Sequence, residues 1–167
     1  MSLYIVDSNF FIQAHRAYYP LDVVPSFWQK VSDLANRQII KSIDKVKTEI
    51  YDNSSHEDEL KIWCKTNLPE DFFLNTEDVI ENYSKIALWA DSMRTHYHQS
   101  AIREFLQADL ADPWLVAYAM DCDCVLVTYE KSEPNRKSKI KIPEVCSNFG
   151  VRYINTIEML RELNENF

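Results

Sequence analysis

Four acidic residues stand where they could do chemistry together. Asp7 ends the apolar run Tyr4-Ile5-Val6, and Glu130 comes three positions after the apolar run Val125-Leu126-Val127. Asp112 opens the helical segment Asp112-Pro113-Trp114-Leu115, and Glu49 lies beside an apolar helical stripe of Ile43, Val46 and Ile50. In open parallel sheets, ligand sites gather outside the carboxyl ends of the strands. Carboxylates brought together there repel one another unless a hard cation lies between them. Mg²⁺ or Mn²⁺ takes such oxygen ligands, keeps several waters, and activates one for in-line attack on a phosphodiester. Each acid also has an ordinary role open to it. Asp112 can cap a helix, Asp7 can form a turn with Ser8 and Asn9, Glu49 can sit on a solvated face, and Glu130 can belong to a polar loop.

The elements that must position these acids are short apolar strands alternating with helical patterns. Residues 3–6 read as a buried strand stopping at Asp7-Ser8-Asn9, and a helical turn follows from Phe10 until Tyr18-Tyr19-Pro20 breaks it. Ser26 is placed to cap a helix over 27–36, and Ile39-Ile40 suggests a β-bridge before a helix over 43–51. Further helices are expected over 55–65 and 76–93, from Asp112 onward, and over 156–163. Val125–Val127 and residues 151–154 read as two more strands. Apolar strands separated by helices give an α/β fold, a three-layer α/β/α sandwich around a mainly parallel sheet. With no linker, repeat or low-complexity tract, residues 1–167 read as one domain.

Composition narrows the chemistry. The chain has 167 residues and one glycine, Gly150. Phosphate-cradling loops of the Walker and dinucleotide types need several glycines close together, so chemistry built on those loops is excluded. The formal charge of −8 argues against a nucleic-acid coat or a polybasic membrane binder. It is compatible with a nuclease, whose carboxylates add negative charge. No apolar run reaches the roughly 18 residues that span a bilayer, and the first residues lack the charged start of a signal peptide. Cys64, Cys122, Cys124 and Cys146 are expected as thiols in a cytoplasmic protein. The one-residue spacings of Cys122-Asp123-Cys124 and His96-Tyr97-His98 are unlike a zinc knuckle. Most aromatic residues, Phe27, Trp63 and Trp89 among them, fall on apolar helix faces. Tyr18, Tyr19 and Trp114 are the ones placed to border a site.

The order of these pieces resembles a PIN domain. The resemblance is carried by Asp7-Ser8-Asn9-Phe10-Phe11-Ile12, the helical Glu49, Ala111-Asp112-Pro113-Trp114-Leu115-Val116-Ala117-Tyr118-Ala119 and Val125-Leu126-Val127-Thr128-Tyr129-Glu130. It covers nearly the whole chain. The tail, with Lys141-Ile142-Pro143-Glu144-Val145-Cys146, Phe149-Gly150-Val151 and Glu158-Met159-Leu160-Arg161, resembles an uncharacterised PIN-like family of bacterial and archaeal proteins. PIN domains are metal-dependent ribonucleases and include the VapC-type toxins of toxin–antitoxin pairs. The resemblance implies an endoribonuclease whose Asp7, Glu49, Asp112 and Glu130 hold Mg²⁺ or Mn²⁺, with an RNA substrate, an antitoxin partner and a homodimer. Glu130 stands where many members carry Asp, Asn or Ser. Thr128 matches a position that orients an acid or water, and Ser8 and Asn9 are expected to hydrogen-bond the carboxylates. Glu57 or Glu59 would replace Glu49 in another helix register, and Asp109 is a further nearby acid.

An acidic pocket needs basic residues nearby to meet phosphates. Lys131, Arg136, Lys137, Lys139 and Lys141 place five positive side chains within eleven positions directly after Glu130, and read as a loop contacting an RNA backbone. Arg16 and Lys47 are expected near the same edge. Two other readings compete. A haloacid-dehalogenase-like phosphatase also starts with a strand and an aspartate, but needs a second Asp where this chain has Asn9. A degenerate PIN-like module would bind RNA or protein without cutting.

Overall fold

A computed structural model describes residues 2–52 and 58–167. Five strands form one sheet: β1 (Tyr4–Val6), β2 (Ile40–Ile43), β3 (Phe73–Leu74), β4 (Val125–Val127) and β5 (Tyr153–Ile154). Their order is β3-β2-β1-β4-β5 and every pairing is parallel. Ile5, Val6, Leu126 and Val127 are fully buried, which is why these strands read as unbroken apolar runs. The chain adds strands outward from β1 on one side, then crosses back to add β4 and β5 on the other. The edge where that order reverses, beyond the carboxyl ends of β1 and β4, is where open α/β sheets hold ligands.

The helices are α1 (Ser8–Gln13), α2 (Pro25–Asn36), α3 (Asp44–Tyr51), α4 (Asp58–Asn67), α5 (Ile80–Ser92), α6 (Gln99–Phe105), α7 (Asp112–Cys122), α8 (Ile142–Phe149) and α9 (Thr156–Glu162). Right-handed crossovers send the connections before β3 to one face of the sheet and those after it to the other. Helix α3 accordingly packs on α1 and α4, and α7 packs on α5 and α8. Beyond α9, Glu165 ties the tail to α2 through ion pairs with Lys30 and Arg37. No described helix is long and apolar enough to cross a membrane.

The α/β/α architecture is the one expected, and several boundaries differ for local reasons. Helix α2 starts at Pro25, with proline in its first turn and no side-chain cap, so Ser26 lies inside it. The bridge at Ile39-Ile40 is a four-residue strand whose Ser42 hydroxyl donates to the Val6 carbonyl, 2.6 Å. The helix expected over 55–65 is α4; the part of it over 55–57 lies outside the described residues. The helix expected over 76–93 begins as a 3-10 turn, Thr76–Val79, capped by Asn75. Strand β3 and helices α6 and α8 are additional to the elements read from the sequence. Gly150 ends α8 at φ 69°, the left-handed conformation that glycine adopts at least cost.

Two further differences concern chemistry. Cys122 and Cys124 are joined as a disulfide, where four thiols were expected; Cys64 and Cys146 are free and buried. Trp114 stacks on Tyr83, with ring centroids 4.0 Å apart and Lys45 over its face, so it packs between helices and does not border the sheet edge.

Candidate functional site

The carboxyl edge of β1 and β4 is built around Asp7. Its backbone leaves β1 in an extended conformation and donates to the Val127 carbonyl, 3.1 Å. Its side chain is buried and takes three donors: the Ser8 hydroxyl (3.2 Å) and the Asn9 backbone N–H (3.1 Å) on one oxygen, and the Thr128 hydroxyl (2.9 Å) on the other. Asp7 thus caps α1 and ties β1 to the residue after β4. Asn9 contributes through its backbone. Thr128 in turn accepts from the Glu130 N–H, 3.1 Å, which folds the chain back over the edge.

The other three acids meet this edge at helix starts. Glu49, late in α3, accepts from the Ala111 backbone N–H at 3.2 Å, immediately before α7. The Ser8 hydroxyl lies beside it and opposes the rise of its carboxyl. Asp112 occupies the first turn of α7. Glu130 accepts from the Ile142 N–H at 2.7 Å, the start of α8. Helix N-termini carry partial positive charge and unpaired N–H groups, so three of them facing one edge favour the anions gathered there.

That favour does not cancel the repulsion. Burial pushes the Asp112 carboxyl well above the ordinary carboxylate range, and the charges of Asp7, Glu130 and Glu49 push it further. Asp7 is raised by burial against the pull of its three donors, with Glu49 adding to the rise. Glu49 is raised by burial and by the charge of Asp109. Glu130 is raised by burial and by Asp7. Lys139, 3.8 Å from Glu130, is the cation whose field opposes both Asp112 and Glu130. Lys141 adds to the field on Glu130, and four carboxyls with two nearby lysines are a donor set that suits a hard divalent cation. Among the described residues, no three His, Cys, Asp or Glu side chains already stand in a metal-holding arrangement.

The remaining expected residues divide. Asp109 is exposed and acts on Glu49 by its charge alone. Glu59 lines an open groove with Leu21, Ile62 and Trp63, and Glu57 lies outside the described residues. Lys47 rides over the Tyr51 ring, 5.6 Å from its centroid. Arg16 is exposed on a π-helical turn, Ala14–Tyr18, that continues α1. In the basic segment, Glu133 pairs with both Arg136 (3.0 Å) and Lys141 (3.1 Å), so the expected loop carries its own counter-charge. Lys131 and Lys137 are exposed, and the Lys137 carbonyl accepts from the His98 N–H.

Sequence reasoning missed the two backbone N–H groups of Ala111 and Ile142. Pro113 and Pro143, each in the first turn of its helix, were the available signals that α7 and α8 begin there. It also missed Tyr129, whose ring stacks with Tyr18 (centroids 5.3 Å apart) beside Glu130.

Comparison with known proteins gives a structural neighbour and a family. The chain is similar to a chain in the crystal structure of VapBC2 from Rickettsia felis bound to a DNA fragment from their promoter. The identity is 12%, the match covers 92% of this chain and 98% of that one, and the TM-score is 0.49. No curated protein matches significantly. A family model described as "Domain of unknown function (DUF4411)" matches residues 4–167, and the chain belongs to that family.

Proposed function

We propose that this protein is a divalent-metal-dependent endoribonuclease of the PIN type. The observation that carries the reading is the gathering of Asp7, Glu49, Asp112 and Glu130 at the β1/β4 edge, each carboxyl raised by burial and three of them by one another. Asp7, Glu49, Asp112 and Glu130 would hold Mg²⁺ or Mn²⁺. Bound there, the cation supplies an activated water and stabilises charge on the phosphate. The protein's own part is positional. Ser8, Asn9 and Thr128 fix both oxygens of Asp7, while the Ala111 and Ile142 N–H groups hold one oxygen each of Glu49 and Glu130. Lys139 lies at the rim of the acids, where a substrate phosphate would pass. Arg136 and the half-buried Lys141 both pair with the solvent-exposed Glu133, where water screens the attraction, so either can exchange Glu133 for a phosphate.

The sequence resemblance extends the reading to the toxin of a toxin–antitoxin pair, with an antitoxin protein as partner and a homodimer as assembly. A second reading, a PIN-like module that binds without cutting, is favoured by one feature. Glu49 and Glu130 each spend an oxygen on a helix start, and among the described residues no three acids already stand in a metal-holding arrangement.

Cleavage of single-stranded RNA with Mn²⁺ tests the two. The nuclease reading expects activity in the wild type and a loss of at least about a hundredfold in Asp7→Asn and Asp112→Asn, as when a group acting on the transition state is removed. Equal activity in all three, or no activity and no metal binding in any, overturns it.

A further inference from the structure

Beyond β4 and β5, a cavity of about 500 Å³ opens directly beside Glu130. Cavities of roughly 300–1,000 Å³ enclose small organic groups. Its walls include Tyr18, Tyr129, Tyr153, Lys131 and Asn155. Tyr18 is 57% exposed, and its ring stacks with Tyr129 at an interplanar angle of 26°. The next residue holds it there. Tyr19 stacks on the buried Phe27 at 4.3 Å, and its carbonyl accepts from the Trp28 indole N–H at 2.6 Å. The π-helical turn that places Tyr18 is an uncommon element, frequent at functional sites.

We infer that this cavity is a nucleobase subsite, in which a base of single-stranded RNA stacks on the Tyr18–Tyr129 platform. The inference rests on the ribonuclease reading for the path of the strand, because Thr128 and Glu130 belong to both the acidic centre and the cavity wall. Charge sets the orientation. Glu130 and Glu158 line the cavity and repel phosphate, so the base lies inside and the backbone runs along the rim, where Lys131 stands. Recognition is by stacking more than by base-edge hydrogen bonds, because the Asn155 and Ser132 side chains on the wall are already engaged. Asn155 both accepts from the Glu158 N–H and donates to its carboxylate, and the Ser132 hydroxyl donates to Glu144. Aromatic stacking accepts any base.

The probe is a short single-stranded RNA carrying 2-aminopurine, whose fluorescence falls on stacking, with Ca²⁺ in place of Mg²⁺ or Mn²⁺. Wild type is expected to quench it. Tyr18→Ala should remove the quench and weaken binding about tenfold to a hundredfold, the usual loss for one stacked base. Tyr18→Phe should retain both, and all three proteins should melt alike because Tyr18 is exposed. Absence of quenching by wild type, equal behaviour of Tyr18→Ala, or an equal loss in Tyr18→Phe overturns the subsite. Cleavage with Mn²⁺ is scored separately. A wild type that cuts without quenching refutes the subsite and leaves the nuclease, and one that quenches without cutting does the reverse.

Discussion

Asp112 concentrates the tension of the site in one residue. Its carboxyl is raised by burial and by three neighbouring acids, so the folded protein holds its proton to higher pH than the unfolded chain does. Between those two values folding takes up a proton, and stability falls as pH rises through the interval. Asp7, Glu49 and Glu130 are raised too and act with the same sign. Metal-free protein should therefore melt higher as pH is lowered from neutral toward the ordinary carboxylate range. Further acidification reverses the trend, because Glu162 and Glu165 are held low by Arg152 and by Lys30 with Arg37, and those pairs are lost on protonation. Asp112→Asn should flatten the upper part of the profile and raise the neutral-pH melting temperature. Parallel profiles for the two proteins, followed by calorimetry across pH, would refute the repulsion. Asp7 and Asp112 were legible because each lies beside a strong local signal, a strand end and a proline. Glu49 was not, because its place depends on α3 docking against Ala111, sixty-two residues away in sequence. Its place beside the Ile43, Val46 and Ile50 stripe made it a candidate, and the family resemblance gave it a role.

Helix starts do two jobs at this edge, and Glu130 shows how to separate them. Its oxygen accepts from the Ile142 N–H, so it caps α8 as well as joining the acids. Glu130→Gln keeps a carbonyl for that bond and removes the charge, whereas Glu130→Ala removes both. The alanine variant should be less stable than the glutamine variant by about 1 kcal/mol, the usual worth of a cap. For a chain of this size that is about 2–4 °C in melting temperature. Both should lose the acid's contribution to metal binding. If the two melt together, the Ile142 contact does not hold α8. This element was hard to read because it is only eight residues long and follows an exposed polar stretch that looks like loop. Strand β3 was hidden for another reason: two residues, Phe73 and Leu74, are too few to show a period, and only pairing with β2 makes them a strand. Strands β1 and β4 were legible because burial on both faces forces them to be wholly apolar.

For the whole molecule, charge placement says more than charge total. A net charge of −8 would discourage any approach to RNA, yet the acids that matter face one edge and Lys139 stands at its rim. Neutralising that edge should stabilise the fold, because a ligand that binds only the folded state adds free energy by mass action. At a hundredfold excess of Mn²⁺ over its dissociation constant the gain is about 2.7 kcal/mol. That corresponds to a rise of roughly 5–10 °C in melting temperature for a chain of this length. The rise should be largest at neutral pH and should shrink as pH falls, because protons compete with the cation for the carboxyls. Asp7→Asn and Asp112→Asn should each lose most of it. Differential scanning fluorimetry with Mn²⁺, Mg²⁺ and a monovalent salt of equal ionic strength separates site binding from general screening. A rise that the monovalent salt reproduces would mean the edge is merely screened. In that case the non-catalytic module becomes the better description, and the acids are helix caps that share one face of a sheet.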